Sequence, residues 1–410
     1  MKYGICAAVV IIALAAGCGK SAKAPQGILF KDDATFLMTH TKAIILTARD
    51  NLAQVAVNPD LQGRVMTSMA AGPDGLSFGW INRELIASGA NNLHMNAFGG
   101  EDRFWLGPEG GQFSIFFKKG DSFDLDHWFT PPPINESAYD IVSRKADSIH
   151  FRKDMHLVNY SAAEFDLELN REVIILQADE VKALGVPVPA GVKMVAYSSD
   201  NRITNTGKKA WAKETGLLSV WILGMFNPSP ATTIVIPFKT GPEADLGSIV
   251  NDTYFGKVPA DRLIVRDKDG VLFFSGDGKY RSKIGMSPKR VKPFVGSFDA
   301  ANRVLTIVHV TIPEGVMDYV NSMWKIQEDP FAGDVVNSYN DGPASPGAKP
   351  LGPFYELESS SPAADLRPGE TLAHIHTTIH IQGPEKALDE IARAVLGVGL
   401  KEIEAAFAKR

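Results

Sequence analysis

Cysteine is almost absent from this chain: Cys6 and Cys18 are its two. Both stand within the first eighteen residues, so the body of the protein has no thiol for a disulfide and must draw its stability from a buried core. An excess of positive charge is also missing. Lys and Arg number 42 against 47 Asp and Glu, a formal net charge of -5, which is not the basic footprint of a nucleic-acid binder. There is no repeat at solenoid periods and no low-complexity block. No serine nucleophile elbow, phosphate-binding glycine loop or zinc-finger spacing occurs. Asp267-x-Asp269-Gly270 lacks the later acids of a calcium loop. No cofactor and no metal is expected.

What is present begins with an export signal. Met1-Lys2-Tyr3 is a short basic start, followed by an apolar run from Gly4 to Gly17 that is shorter than the roughly 20 residues of a spanning helix. Ala15-Ala16-Gly17-Cys18 then resembles the lipobox of bacterial lipoproteins, in which this Cys is lipidated and becomes the new N-terminus. The expectation is a signal peptide over 1–17, a polar tether over 18–27 and a lipid anchor on Cys18. Cleavage removes Lys2 and no acid, moving the net charge from -5 to -6. An anchored extracytoplasmic protein follows, at the outer membrane or the periplasmic face, since Gly19 is not the Asp that favours inner-membrane retention.

The rest has 45% hydrophobic residues, enough for a sizeable core. Short alternating segments between turn signals predict an all-β sandwich over 28–383. Expected strands are Leu52–Val57, Arg64–Met69, Phe113–Phe117, Ser148–Phe151, Phe165–Leu176, Thr232–Phe238, Leu263–Val265, Val271–Ser275, Arg303–Ile312 and Ala373–Ile381. Residues Glu328–Phe354 read as a long surface loop. The segment 384–410 reads as helical after Pro384, with Leu388, Ile391 and Val395 at helical spacing and an interruption at Gly397 and Gly399.

Two stretches could carry chemistry. Between Asn91 and Ser114, His94, Asn96, Glu101, Asp102, Arg103, Trp105 and Glu109 stand among five glycines. An aromatic beside acids and an arginine suits a sugar, which has an apolar face and a hydroxyl rim. The alternative is a structural turn in which Arg103 pairs with Glu101 or Asp102 beneath Trp105. His127 and Trp128, ahead of Pro131-Pro132-Pro133, are placed to rim a pocket. In the second stretch Glu356 and Glu358 share one strand face, as do His374, His376, Thr378 and His380. His374-x-His376 lacks the third ligand of a zinc site; the pair reads either as sugar-contacting histidines or as hydrogen-bonded histidines of the sheet.

Three pieces resemble the galactose-mutarotase-like superfamily. They are Gln62-Gly63-Arg64-Val65-Met66, Phe98-Gly99-Gly100 ahead of Trp105, and Leu357-Glu358 with Ser361-Pro362 and Leu366-Arg367-Pro368-Gly369-Glu370. The run from Gly99 to Ser114 is also similar to a family of bacterial lipoproteins built on a related fold. The resemblance implies a large twisted antiparallel β-sandwich with a sugar cleft, here followed by a C-terminal helix. It puts Glu358 in the general-base position and Asn96, Glu101, Asp102, Arg103, Trp105, Glu109 and Glu356 around a carbohydrate. Aldose epimerases also use a general-acid histidine, yet Trp211–Asn227 contains none, and Phe98 stands where they have another histidine. Either His94, His374 or His376 supplies the acid, or the cleft binds sugar without this chemistry. One shared surface for the Asn91–Glu109 loop, Glu358 and the His374/His376 face is expected.

Overall fold

The computed structural model describes residues 27–345 and 347–408. The expected signal peptide, Cys18 and the expected tether up to residue 26 lie outside these residues. The described chain is mostly β, and every sheet is antiparallel. A ten-stranded sheet runs, from edge to edge, through Leu263–Arg266, Val271–Ser275, Thr232–Pro237, Phe294–Asp299, Val304–Val310, Thr371–Gln382, Lys193–Asn205, Glu164–Ile175, Ser148–Val158 and Asp140–Arg144. A five-stranded sheet runs through Ser282–Met286, Val336–Asn340, Tyr355–Ser360, Ser219–Phe226 and Arg103–Gly107. A three-stranded sheet holds Ile44–Thr47, Gln54–Asn58 and Arg64–Met69.

The five- and ten-stranded sheets bury their facing sides against each other. Ile284, Val336 and Leu357 from the smaller sheet join Ile236, Val295 and Val308 from the larger in one apolar cluster. Phe104 and Ile222 meet Leu169, Val195 and Ile203 in a second. Burying a side chain of this size contributes roughly 1.5–3 kcal/mol, so these facing rows, rather than any cross-link, hold the sandwich together.

The other side of the ten-stranded sheet is covered by the C-terminal segment, which forms two helices, Glu385–Leu396 and Leu400–Ala405. Leu388, Ile391 and Val395 lie on one stripe and pack with Phe273, Leu305, Ile379 and Ile381. Gly397 ends the first helix at φ 76°, a left-handed cap that glycine adopts without a Cβ penalty. No helix of the described residues is long and apolar enough to cross a membrane.

Several predicted strands have their expected bounds or extend beyond them; Arg64–Met69 and Val271–Ser275 coincide with the sequence reading. Two expectations are corrected. Phe113–Phe117 is irregular: its chain is turns and bends, and Ile115, Phe116 and Phe117 are buried by packing instead of by sheet pairing. Glu328–Phe354 is not one surface loop, since Val336–Asn340 inside it is an inner strand of the five-stranded sheet. Val336, Ser338 and Asn340 are buried there, and the polar ones find hydrogen bonds. The Gly- and Asn-rich composition concealed a strand whose polar groups are satisfied internally.

Candidate functional site

Register across the five-stranded sheet assembles the site. Asn337, Glu358, Leu223 and Arg103 stand side by side on four strands, and Tyr339, Glu356 and Met225 form the next row, with Lys283 opposite Tyr339. Side chains alternate along a strand. These rows therefore point away from the ten-stranded sheet, while Ile284, Val336 and Leu357 point into the core.

A cavity of about 280 Å³ opens on that outward face. Trp105, Trp128, Trp221 and Trp324 all line it, four of the six tryptophans in the chain. Trp105 meets Trp221 nearly edge-on at 5.5 Å, and Trp128 stacks on Trp324 at 6.0 Å. The rim comes from the connection between Val336–Asn340 and Tyr355–Ser360, which contributes Asp341, Gly342, Ala344, Lys349, Pro350 and Leu351. Its neck is closed where the Asp341 amide donates to the Phe354 carbonyl at 3.0 Å.

Charged groups are arranged in pairs on the floor. Arg103 donates through Nη2 to Glu356 Oε1 at 3.2 Å, and its guanidinium lies 4.2 Å over the Trp105 ring. Lys283 Nζ donates to Glu358 Oε2 at 2.8 Å, and Trp221 Nε1 donates to the same oxygen at 2.9 Å. Burial, then the neighbouring Glu358, pushes the Glu356 carboxyl up to about 8. Burial also raises the Glu109 carboxyl, with Lys283 opposing it. Desolvation works against the Lys283 ammonium, but Glu358, Glu109 and Glu356 outweigh it and hold its pKa above the ordinary lysine value. The cavity wall thus holds a carboxyl whose ionisation is disfavoured, Glu356, beside an ion-paired glutamate.

Residues 28–407 match a family of unknown function, DUF6786. The chain belongs to this family. No curated protein matches it in sequence. Among solved structures, this DUF6786 protein is similar to the Slr1438 protein of Synechocystis sp. PCC 6803, with a TM-score of 0.48 and 12% identity over 89% of this chain and 100% of that one. A galactose mutarotase related enzyme of Lactobacillus acidophilus gives 0.45 and 12% over 82% and 97%. A galactose mutarotase-like protein of Lactobacillus casei gives 0.46 and 10% over 83% and 100%.

Of the residues singled out in the sequence, Arg103, Trp105, Glu109 and Glu356 line the DUF6786 cavity. Arg103 pairs with Glu356, not with Glu101 or Asp102 beside it. Those two acids turn inward: Glu101 accepts from Ser68 and Tyr197 and contacts His380, while Asp102 accepts from Arg171 at 2.6 Å. Gly99 and Gly100, at φ 90° and 112°, make that turn possible, and a Cβ on Gly99 would lie 2.1 Å from the Trp80 carbonyl oxygen. Asn96 is buried in the loop, bonded to Asn91 and Asn135. His94 shares a hydrogen bond with the Trp128 carbonyl at 2.6 Å and stacks on Phe129, which places it behind the wall.

The expected single surface is corrected at the histidines. His374 and His376 lie between the sheets, both hydrogen-bonded to Ser359 Oγ at 2.8 Å. Ser359 alternates with Glu358, so the same strand separates the histidines from the cavity. Burial pushes His374 down to about 3 and His376 to about 4, leaving both neutral and unfit as acids near pH 7. Glu358 is itself fully buried and is not part of the cavity wall. No group of three or more metal-ligating side chains is found among the described residues. Trp128 lines the cavity, whereas His127 is exposed and pairs with Asp124. Lys283, Arg281, Trp221 and Trp324 line the cavity yet had no local signal: Lys283 and Trp221 reach it through sheet pairing, Arg281 from the residue ahead of the Ser282–Met286 strand and Trp324 from an irregular segment.

Proposed function

We propose that this protein is a carbohydrate-active protein, held at a membrane by a lipid on Cys18, whose cavity binds a sugar ring and moves protons on it. The observation that carries the reading is the floor of four tryptophans around the Glu356 carboxyl, whose ionisation burial and Glu358 disfavour. A cavity of about 280 Å³ falls just below the drug-sized range of about 300–1,000 Å³, and suits one ring. Indole faces cover the apolar face of a sugar, while Arg103, Glu109 and Glu356 meet its hydroxyls.

Opening a cyclic sugar needs an acid at the ring oxygen and a base at the anomeric hydroxyl. Glu356 gives its proton to the ring oxygen as the bond from that oxygen to the anomeric carbon breaks. The hydroxyl proton passes to Glu109, the other glutamate in the wall. Glu358 then acts on Glu356 instead of on the sugar, as a fixed negative neighbour anchored by Lys283 and Trp221. This moves the base role that the resemblance assigns to Glu358 onto a side chain that lines the cavity.

A second reading is a glycan-binding protein without chemistry, favoured by the complete burial and ion pairing of Glu358. Anomer exchange followed by NMR, with calorimetry on a panel of monosaccharides, separates the two. Glu356→Gln should lower the exchange rate by roughly two or more orders of magnitude while sugar affinity changes little. Binding without turnover in the unaltered protein selects the second reading. A protein that binds none of the sugars refutes both.

A further inference from the structure

One cation of the cavity, Arg281, has no ion-pair partner among the described residues. Each of the cavity's other basic side chains has a carboxyl group close by: Arg103 has Glu356 at 3.2 Å, Lys283 has Glu358 at 2.8 Å, and rim Lys349 has Glu84 at 3.8 Å. The half-buried side chain of Arg281 lines the same cavity, with the guanidinium stacked on Phe255 at 3.8 Å. Among the described residues it has no carboxylate within ion-pairing distance and no side-chain hydrogen bond. Asp341 and Glu109 are near enough to feel its charge without reaching ion-pair distance, and both Asp341 oxygens are engaged, Oδ1 by the Tyr339 hydroxyl at 3.0 Å and Oδ2 by the Gly352 amide at 2.9 Å.

A guanidinium held flat against an aromatic ring keeps its in-plane donors free, and that planar fork matches a carboxylate in a bidentate pair. Holding such a group half-buried and unpaired costs stability unless a ligand completes it. A guanidinium without an ion-pair partner matches an anion, and the planar fork favours a carboxylate over a tetrahedral phosphate dianion.

We propose that the cavity takes an acidic sugar, a uronate, whose carboxylate is bound by Arg281. The inference rests on the sugar-binding reading above and deepens it by naming the substrate class. Arg281 is a specificity residue on this account, outside the proton-transfer pair.

Calorimetry on the full chain with D-glucuronate, D-galacturonate, D-glucose, D-galactose, D-glucose 6-phosphate and D-glucose 6-sulfate tests it. One of the uronates should bind at least tenfold more tightly than its neutral counterpart. Arg281→Met should erase that preference, bringing the uronate and its neutral counterpart within about twofold of each other, and Arg281→Lys, which keeps the charge but not the fork, should retain part of it. A neutral sugar binding as well as its uronate, or a preference that survives in Arg281→Met, overturns the inference and leaves the sugar-binding reading standing. Tighter binding of the phosphate or sulfate than of either uronate overturns the carboxylate assignment. Failure of every sugar to bind overturns the underlying reading, and this one with it.

Discussion

Replacing Glu358 by Gln should move the titration of Glu356 downward by more than a full pH unit. Two carboxylates on alternate residues of one strand stand about 7 Å apart. At an effective dielectric constant of about 20, a unit charge at that distance is worth about 2.4 kcal/mol, or about 1.7 pH units. Removing the Glu358 charge takes away this repulsion, while Arg103 and Lys283 continue to favour an ionised Glu356. The midpoint should therefore fall from about 8 to about 6, still above an ordinary carboxyl because burial persists. Gln keeps the size of the side chain and an oxygen for the Trp221 indole. Carboxyl-labelled glutamate observed by carbon NMR reads the midpoint directly, with Glu356→Gln assigning the signal. The fold carries the same sign. A carboxyl whose pKa is raised on folding contributes stability that is complete below the unfolded value, near 4.5, and is lost as pH rises through about 8. In Glu358→Gln that loss should be complete nearer pH 6, visible in urea midpoints measured across the range. A midpoint that moves by less than about 0.5 unit, or moves upward, would show that Glu358 does not set the state of Glu356.

Two further predictions concern the interior and the anchor. Arg171 and Asp102 are both fully buried and paired at 2.6 Å, so Arg171→Met strands a buried carboxylate and should cost about 3–5 kcal/mol by urea denaturation; a cost below about 1 kcal/mol would mean that water or another donor reaches Asp102. Cys18→Ser should abolish palmitate labelling and detergent partitioning, and a labelled Ser variant would end the lipoprotein reading.

Much of the sandwich was legible because its strands alternate in the sequence itself. Val271–Ser275 and Arg64–Met69 needed no partner to be seen, and the terminal strand displayed its two faces as His374, His376, Thr378 and His380 against Ile375, Thr377, Ile379 and Ile381. Which face was which could not be read locally. A histidine row looks like a working surface, yet here it is satisfied inside the sandwich by Ser359, Thr306 and Glu101. The same limit hid Val336–Asn340, whose polar residues are paired internally. Arg103, Trp105, Glu109 and Glu356 were found because a dense cluster of charge, glycine and tryptophan is visible in one stretch. Lys283 and Trp221 were missed because sheet register, not sequence proximity, brings them to that stretch, and Arg281 because it stands just ahead of the Ser282–Met286 strand that carries Lys283.

The hairpin connection over residues 341–354 leaves and re-enters the sheet at one closed neck, between two adjacent strands. The floor residues sit on the strands themselves, so the rim can be shortened, lengthened or replaced without disturbing the pairing that places Glu356, Arg103 and Lys283. On the proposed reading, the rim that meets the ligand and the carboxyls that move protons thereby stand on separate segments. A grafted connection carrying different side chains would retune which ligand is admitted while inheriting an unchanged set of carboxylates and tryptophans, and divergence among relatives would be expected to concentrate there.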